Sequence, residues 1–456
     1  MVASLDIPTP SEALMRRYDV AGPRYTSYPT VPEWKQDFGT EHYAERLDAA
    51  GRAGAEEPLS LYVHLPFCRS LCWYCGCNVV ISQDRGAADV YIDHVLQELD
   101  QVVDRLGRRR TLSQVHWGGG TPTFLTESQI ERLWSGITRR LSPLPDAEVA
   151  IEVHPAITTP AQLTLLRQLG FNRVSMGLQD FDPKVQEVTN RHQPFAQTRA
   201  LLDHARGLGF SGVNFDLIYG LPYQTPESWE RTLRQILELR PDRLAVYSFA
   251  FIPDVLKHQK RMPAEALPDA RTKQGLFRAA WAAFVDAGYL PIGMDHFAVP
   301  EDELALAQQR RALGRNFQGY TVKAAQDVVA LGSTGISDVG GAYAQNVRAL
   351  PYYYERVREG RFATERGIQL TEDDRRRRAI ITQLMCNFWV DLGEDGPRDF
   401  ALELERLEPL EDDGLVRREG SQLEVTPLGR LFVRNVAMVF DAYLRRAERP
   451  RFSRTV

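Results

Sequence analysis

The chain has 456 residues, 43% of them hydrophobic and 25% charged, with a formal net charge of −5. Those values suit two or three ordinary globular domains, or one large barrel with an appendage, and they exclude disorder, collagen-like structure and a bare coiled coil. No run approaches the ~18 apolar residues of a membrane span. Met1–Pro10 lacks the basic start and apolar core of a secretory signal, and an acidic balance offers nucleic acid no basic field. A cytoplasmic monomer is expected, with no membrane span and no nucleic-acid partner.

Residues 1–55 carry no strong period. Gly22-Pro-Arg-Tyr-Thr-Ser-Tyr-Pro-Thr30 mixes turn formers with aromatics and reads as an arm laid over something else. From residue 60, short β-rich runs alternate with helical ones. Candidate strands are 60–65, 113–117, 148–153, 173–176, 212–218 and 244–249, with another at 290–294. Between them Ile92, Val95, Leu99, Val102 and Leu106 fall on one helical face. Thr126-Glu-Ser-Gln129 forms a capping box before a second amphipathic helix, and Thr225-Pro226 caps another. Strand–helix alternation on this scale predicts an α/β fold of parallel strands with right-handed crossovers, closed or partly closed into a barrel. In such folds the site lies at the C-terminal strand ends. The alternation stops near residue 365. Residues 366–456 read as mainly helical, with a hairpin and a following helix in winged-helix outline, so 56–365 is taken as the barrel. Arg108–Arg110 and Arg375–Arg378 read as solvated helix ends or faces.

Four of the five cysteines, Cys68, Cys72, Cys75 and Cys77, lie within ten residues directly after the strand at 60–65. A tight cluster in a chain without a signal suggests a reduced metal site rather than a disulfide framework. Three soft thiolates on one short loop suit three corners of an iron–sulfur cubane. A zinc loop or simple buried thiols are the alternatives, but zinc commonly takes two separated ligand pairs. Cys386 sits in an apolar helical stretch and reads as core.

The segment from Tyr62 through Cys68, Cys72 and Cys75 resembles the signature of radical S-adenosylmethionine (SAM) enzymes. Its extension to Cys77, with Gly22–Thr30, Gly293–Ala298 and Arg315–Thr321, is similar to the oxygen-independent coproporphyrinogen III oxidase family across most of the chain. The resemblance implies a partial (β/α)6-type radical SAM barrel with an N-terminal arm and a winged-helix-like C-terminal domain. It implies one 4Fe-4S cluster on Cys68, Cys72 and Cys75, with SAM on the open iron and a second SAM beside it. The reduced cluster would cleave SAM to a deoxyadenosyl radical that takes hydrogen from substrate. The reaction implied is decarboxylation of two propionates of coproporphyrinogen III to vinyl groups, with an external electron donor and an unidentified terminal acceptor.

Carried over residue by residue, the SAM contacts are Tyr62, Tyr74, Gly119, Gly120, Thr121, Glu152, Gln179, Arg191, Asp216, Ala250 and Ile336. From the residues alone, Gly118–Gly120 would equally serve a tight strand–helix turn, Gln179 and Asp216 strand-end capping, Arg191 a surface charge, and the tyrosines core packing. Ala250 and Ile336 rest wholly on the resemblance. A tetra-anionic substrate needs cations, for which Arg24 and Arg315 are candidates. Related haem-binding proteins share the barrel, but Cys77 and the arm favour the enzyme. A DNA-binding role for the C-terminal region is disfavoured, since 426–440 holds only Arg430 and Arg434 as basic residues.

Overall fold

Six parallel strands stand side by side in a computed structural model that describes residues 10–446 other than 53, 55 and 324, together with 452, 454 and 455. They are β1 (Leu59–Leu65), β2 (Thr111–Gly119), β3 (Ser142–Val153), β4 (Arg173–Gln179), β5 (Gly212–Tyr219) and β6 (Arg243–Ser248). Helices Ala87–Leu106, Glu127–Thr138, Pro160–Gln168, Phe195–Gly207 and Pro226–Leu239 join them in turn. Thr126, Thr159 and Thr225 each accept a hydrogen bond from the amide three residues on, which stabilises each helix start by about 1 kcal/mol.

The sheet continues on both sides. β7 (Leu290–Gly293) and β8 (His296–Ala298) extend it antiparallel beyond β6; β9 (Val328–Leu331), β10 (Ile336–Val339), β11 (Ala342–Asn346) and β12 (Thr364–Gln369) extend it beyond β1. The twelve-strand order is β12-β11-β10-β9-β1-β2-β3-β4-β5-β6-β8-β7. Alternation of parallel strands with helices therefore ends at β6, earlier than the expected residue 365, although helix Ala270–Asp286 still leads from β6 to β7. The four strands of the β9–β12 layer are too brief to show a period.

Along the barrel strands, residues alternate between two environments. Leu59, Leu61, Val63 and Leu65 are buried outward against helices, with Ile92, Val95, Leu99, Val102 and Leu106 opposite them. Each such side chain contributes roughly 1.5–3 kcal/mol. The intervening Ser60, Tyr62 and His64 face inward, in register with Gln114, His116 and Gly118 of β2. Glu152, Ser175, Asn214 and Asp216 continue this polar lining across β3, β4 and β5. At the N-terminal strand ends the lumen is floored by an ion network. Arg173 lies 2.8 Å from Glu148, Arg243 lies 2.9 Å from Asp302, and Gln114 donates to Glu148 at 2.8 Å.

The arm and the C-terminal region share a core. Tyr18, Tyr25 and Tyr28 pack with Leu384, Phe388, Leu407 and Phe432. Helix Glu372–Asn387, helix Ala401–Asp412 and a three-stranded antiparallel sheet (Trp389–Asp391, Val416–Glu419, Gln422–Val425) build the C-terminal region. Neither arginine run is simply solvated. Arg109 is fully buried: it donates to the carbonyls of Ala50, Glu57 and Pro58 and pairs with Asp327. Arg378 pairs with Asp338 on β10, while Arg377 bridges Asp373 and Glu403. No helix among the described residues is long and apolar enough to cross a membrane.

Two tests follow from the packing. Arg109→Ala strands the Asp327 carboxylate and three carbonyls in the interior, so stability should fall by about 3–5 kcal/mol. A variant unfolding at the wild-type denaturant midpoint would refute the lock. Glu98 is buried on helix Ala87–Leu106, accepting from Gly332 N–H, Tyr353 O–H and Asn346 Nδ2. Burial, only partly opposed by those bonds, pushes its carboxyl from 4.5 up to about 7. A carboxyl raised on folding gives stability that is complete below its unfolded pKa and is lost as pH rises through the folded one. Wild-type thermal stability should therefore decline between pH 5 and 8 relative to Glu98→Gln, by up to ~3 kcal/mol. Parallel pH profiles would sink the idea.

Candidate active site

The cysteine loop leaves β1 and is pinned at both ends. Phe67–Cys68 pairs with Val80–Ile81, and Val80 N–H donates to Pro66 O at 2.7 Å. Its interior is held from four directions. Trp73 N–H donates to Thr189 O, Asn190 Nδ2 to Leu71 O, a His258 ring nitrogen lies 2.8 Å from Cys75 O, and a His64 ring nitrogen 3.2 Å from Asn78 O. Backbone fixed in this way preorganises the loop that carries the thiols.

Each thiol has a polar neighbour. Thr121 Oγ1 lies 3.4 Å from Cys68 Sγ, Arg191 Nη1 approaches Cys72 Sγ at 3.6 Å, and Cys77 N–H donates to Cys75 Sγ at 3.4 Å. Hydrogen bonding from Cys77 lowers the Cys75 thiol to about 7 despite burial, with Arg191 adding to the effect. Burial instead raises Cys68 to about 11. No set of three or more His, Cys, Asp or Glu side chains among the described residues closes on a single-ion position. Cys386 is fully buried on helix Glu372–Asn387.

Glu152 ends β3 beside the loop. Gly119 N–H donates to its Oε2 at 3.1 Å and His116 Nε2 lies 3.2 Å from its Oε1. Burial alone would raise this carboxyl, but the His116 and Gly119 contacts outweigh it and hold it below its ordinary value. Its side chain still keeps 42% of its surface open to the lumen. Gly119 is glycine for a double reason: φ is +120°, and a Cβ would sit 2.7 Å from the His64 ring. Gly120 N–H donates to Leu65 O, tying the glycine turn to β1. Tyr62 stacks on His116 with ring centres 5.9 Å apart, its hydroxyl 3.1 Å from His64 Nδ1.

Arg191 joins several expected residues. It donates to Gly177 O, and it interacts electrostatically with Tyr74 and Cys72. Its Nε and Gln179 Oε1 are buried without a partner among the described residues, and both residues line a recess of about 160 Å3. Gln179 adopts φ +67° at the end of β4. Asp216 accepts from Asn214 at 2.9 Å and Ser175 at 3.2 Å; burial pushes it up to about 6. Ala250 is exposed just past β6, its carbonyl accepting from Gln259. Ile336 opens β10 and lines a cleft of about 420 Å3 whose wall includes none of the cysteine-loop residues.

Sequence reasoning missed His64, His116 and His258. The first two left a trace, as polar residues at alternate positions within apolar strands. His258 comes from a distant loop and left none. Arg24 proves to be committed to Asp295, itself contacted by His296 Nδ1 at 2.8 Å.

Residues 62–236 match the radical SAM superfamily model and 370–432 the HemN C-terminal domain model. The chain is 45% identical over 454 residues to the oxygen-independent coproporphyrinogen III oxidase of Escherichia coli K12, covering 97% of this chain and 98% of that one. It is 42% identical to the enzyme of the same name from Pseudomonas aeruginosa, covering 97% and 98% respectively. The crystal structure of the Escherichia coli coproporphyrinogen III oxidase HemN, described as a radical SAM enzyme, superposes with a TM-score of 0.90 at 43% identity, covering 96% of this chain and 100% of that one. The superfamily fold implies a 4Fe-4S cluster and SAM, and the donor set fits both: soft thiols on a preorganised loop, an open carboxylate, and buried orphan atoms on Arg191 and Gln179. End-to-end similarity and a matching fold lead to one assignment: the chain belongs to the oxygen-independent coproporphyrinogen III oxidase family of radical SAM proteins.

Proposed function

We propose that this chain converts two propionate side chains of coproporphyrinogen III to vinyl groups, giving protoporphyrinogen IX in oxygen-free porphyrin synthesis. The observation that carries the reading is a preorganised three-thiol loop beside the open Glu152 carboxylate, in a chain that aligns end to end with oxidases of that name. Cys68, Cys72 and Cys75 are the cluster ligands. Cys77 hydrogen-bonds to Cys75 Sγ and tunes it rather than ligating. When bound, the cluster and SAM supply a carbon-centred radical able to remove hydrogen from an unactivated C–H bond.

The chain's residues orient and shield. Glu152, held by Gly119 N–H and the His116 ring, is suited to the SAM amino group. Tyr62 and Tyr74 offer aromatic faces for adenine, while Gly120 and Thr121 border the cluster loop. Arg191, Gln179 and Asp216 carry the donors and acceptors for a second SAM, its carboxylate on Arg191 and its ribose on Asp216. Ala250 and Ile336 are assigned as SAM contacts on the family likeness alone. Each conversion removes a hydrogen atom from a propionate β-carbon, then one electron and CO2, so water and stray hydrogen donors have to be kept away. An outside donor primes the cluster and an outside acceptor takes the last electron. The cytoplasm is the fitting compartment, because the thiols must stay reduced.

Anaerobically reconstituted protein given SAM, a reductant and coproporphyrinogen III should yield protoporphyrinogen IX; stoichiometric porphyrin binding without vinyl product would overturn the reading. Serine at Cys68, Cys72 or Cys75 should abolish iron and labile sulfide retention, whereas Cys77→Ser should keep both. Loss of the cluster from Cys77→Ser would make it a ligand. Glu152→Gln should weaken SAM binding roughly 10- to 100-fold, the value of a charge-assisted hydrogen bond, measured by equilibrium dialysis with cluster content unchanged.

A further inference from the structure

The sign of the buried charge reverses within the barrel. Glu152 stands near the end of β3 and Asp216 within β5, and His296, which acts electrostatically on Asp216, packs between two tyrosines. Its ring lies 5.9 Å from Tyr247 and 5.0 Å from Tyr320. Each tyrosine ring also carries a guanidinium, Arg24 at 5.9 Å from Tyr247 and Arg315 at 4.9 Å from Tyr320. Arg434 is the third cation of the group: burial and the nearby Arg24 and Arg315 together pull it down to about 10.

These cations differ in what they are bound to. Arg24 is paired with Asp295. Arg434 donates to the carbonyls of Gly22, Pro23 and Arg454, so it clamps the arm turn that delivers Arg24. Arg315 has no carboxylate within ion-pair reach among the described residues. Its contacts are the Tyr320 face and a weak 3.7 Å approach to Met294 Sδ, and its Nε is buried without a partner. Arg378, in the same cleft, is already held by Asp338 through both amino groups. A half-buried guanidinium without a counter-charge costs stability unless a ligand supplies one.

Arg315 also borders free space. It lines the cleft of about 420 Å3 together with Tyr25 and Tyr28 of the arm, Asn316, Ile336 and Tyr343. The planar fork of arginine matches a carboxylate in two parallel hydrogen bonds. We propose that Arg315 is the substrate-carboxylate ligand, gripping one propionate of the porphyrinogen, with the Arg24–Asp295 pair and Arg434 as the positioning elements that seat the arm around it. This assignment rests on the substrate proposed above and names the residue that holds it.

The test uses anaerobically reconstituted holoenzyme and two probes. For Arg315→Gln the KM for coproporphyrinogen III should rise at least tenfold with kcat changed far less, while SAM affinity and cluster absorption stay at wild-type values; Arg315→Lys should recover part of the loss. Binding of coproporphyrin III, followed by porphyrin fluorescence, should weaken in parallel. Wild-type protein should bind the tetramethyl ester much more weakly than the acid, a comparison that needs no variant to fold. A KM and porphyrin affinity within twofold of wild type in Arg315→Gln, or equal wild-type affinity for acid and ester, would overturn the assignment while leaving vinyl formation intact. Conversely, wild-type protein that binds coproporphyrin through Arg315 yet forms no vinyl product would overturn the proposed reaction and leave this site standing.

Discussion

Each strand of the barrel has to be apolar where it meets the helices, and it can be polar on its inner side only if every inward group finds a partner. The period of two along a strand delivers the first condition almost automatically. The second is met by cross-strand pairing: Gln114 on Glu148, His116 on Glu152, Ser175 and Asn214 on Asp216. Those pairings decide which inner groups are saturated and which retain capacity. Glu152, with contacts to both oxygens and much of its side chain open, is held in place without being used up.

The same distinction separates scaffold from site elsewhere. Arg109, Arg173, Arg243 and Arg378 are all buried or half-buried cations, and all have carboxylates at hand. Their work is to join elements: Arg109 ties the segment before β1 to that before β9, and Arg378 ties the C-terminal region to β10. The arm is joined by aromatic burial as well as charge, since Tyr18, Tyr25 and Tyr28 belong to the core of the C-terminal region. The residues at either end of the chain thus form one body against the barrel.

The parallel core was legible because its six strands and several of their helices repeat a long enough pattern to show a period, and threonine caps marked two helix starts. The cysteine spacing was legible for a different reason, since it reflects a local loop. The β9–β12 layer was not, because strands of four to six residues carry too few alternations to register. Arg109 was misjudged because its neighbours Arg108 and Arg110 are ordinary, and burial of the middle residue depends on carbonyls at 50, 57 and 58. Arg434 was weighed only as a basic residue of a disfavoured recognition helix; two of its carbonyl partners, at Gly22 and Pro23, lie some four hundred residues earlier. Contacts of that kind leave no mark in a linear pattern. The spacing of Glu152 from Gly119 was equally invisible, although each residue was flagged separately.

The floor of charged residues beneath the lumen has a topological consequence. Arg173, Glu148, Arg243 and Asp302 are nearly inaccessible to solvent, so the barrel is closed at the N-terminal strand ends. Whatever is seated above that floor cannot leave by passing on through it.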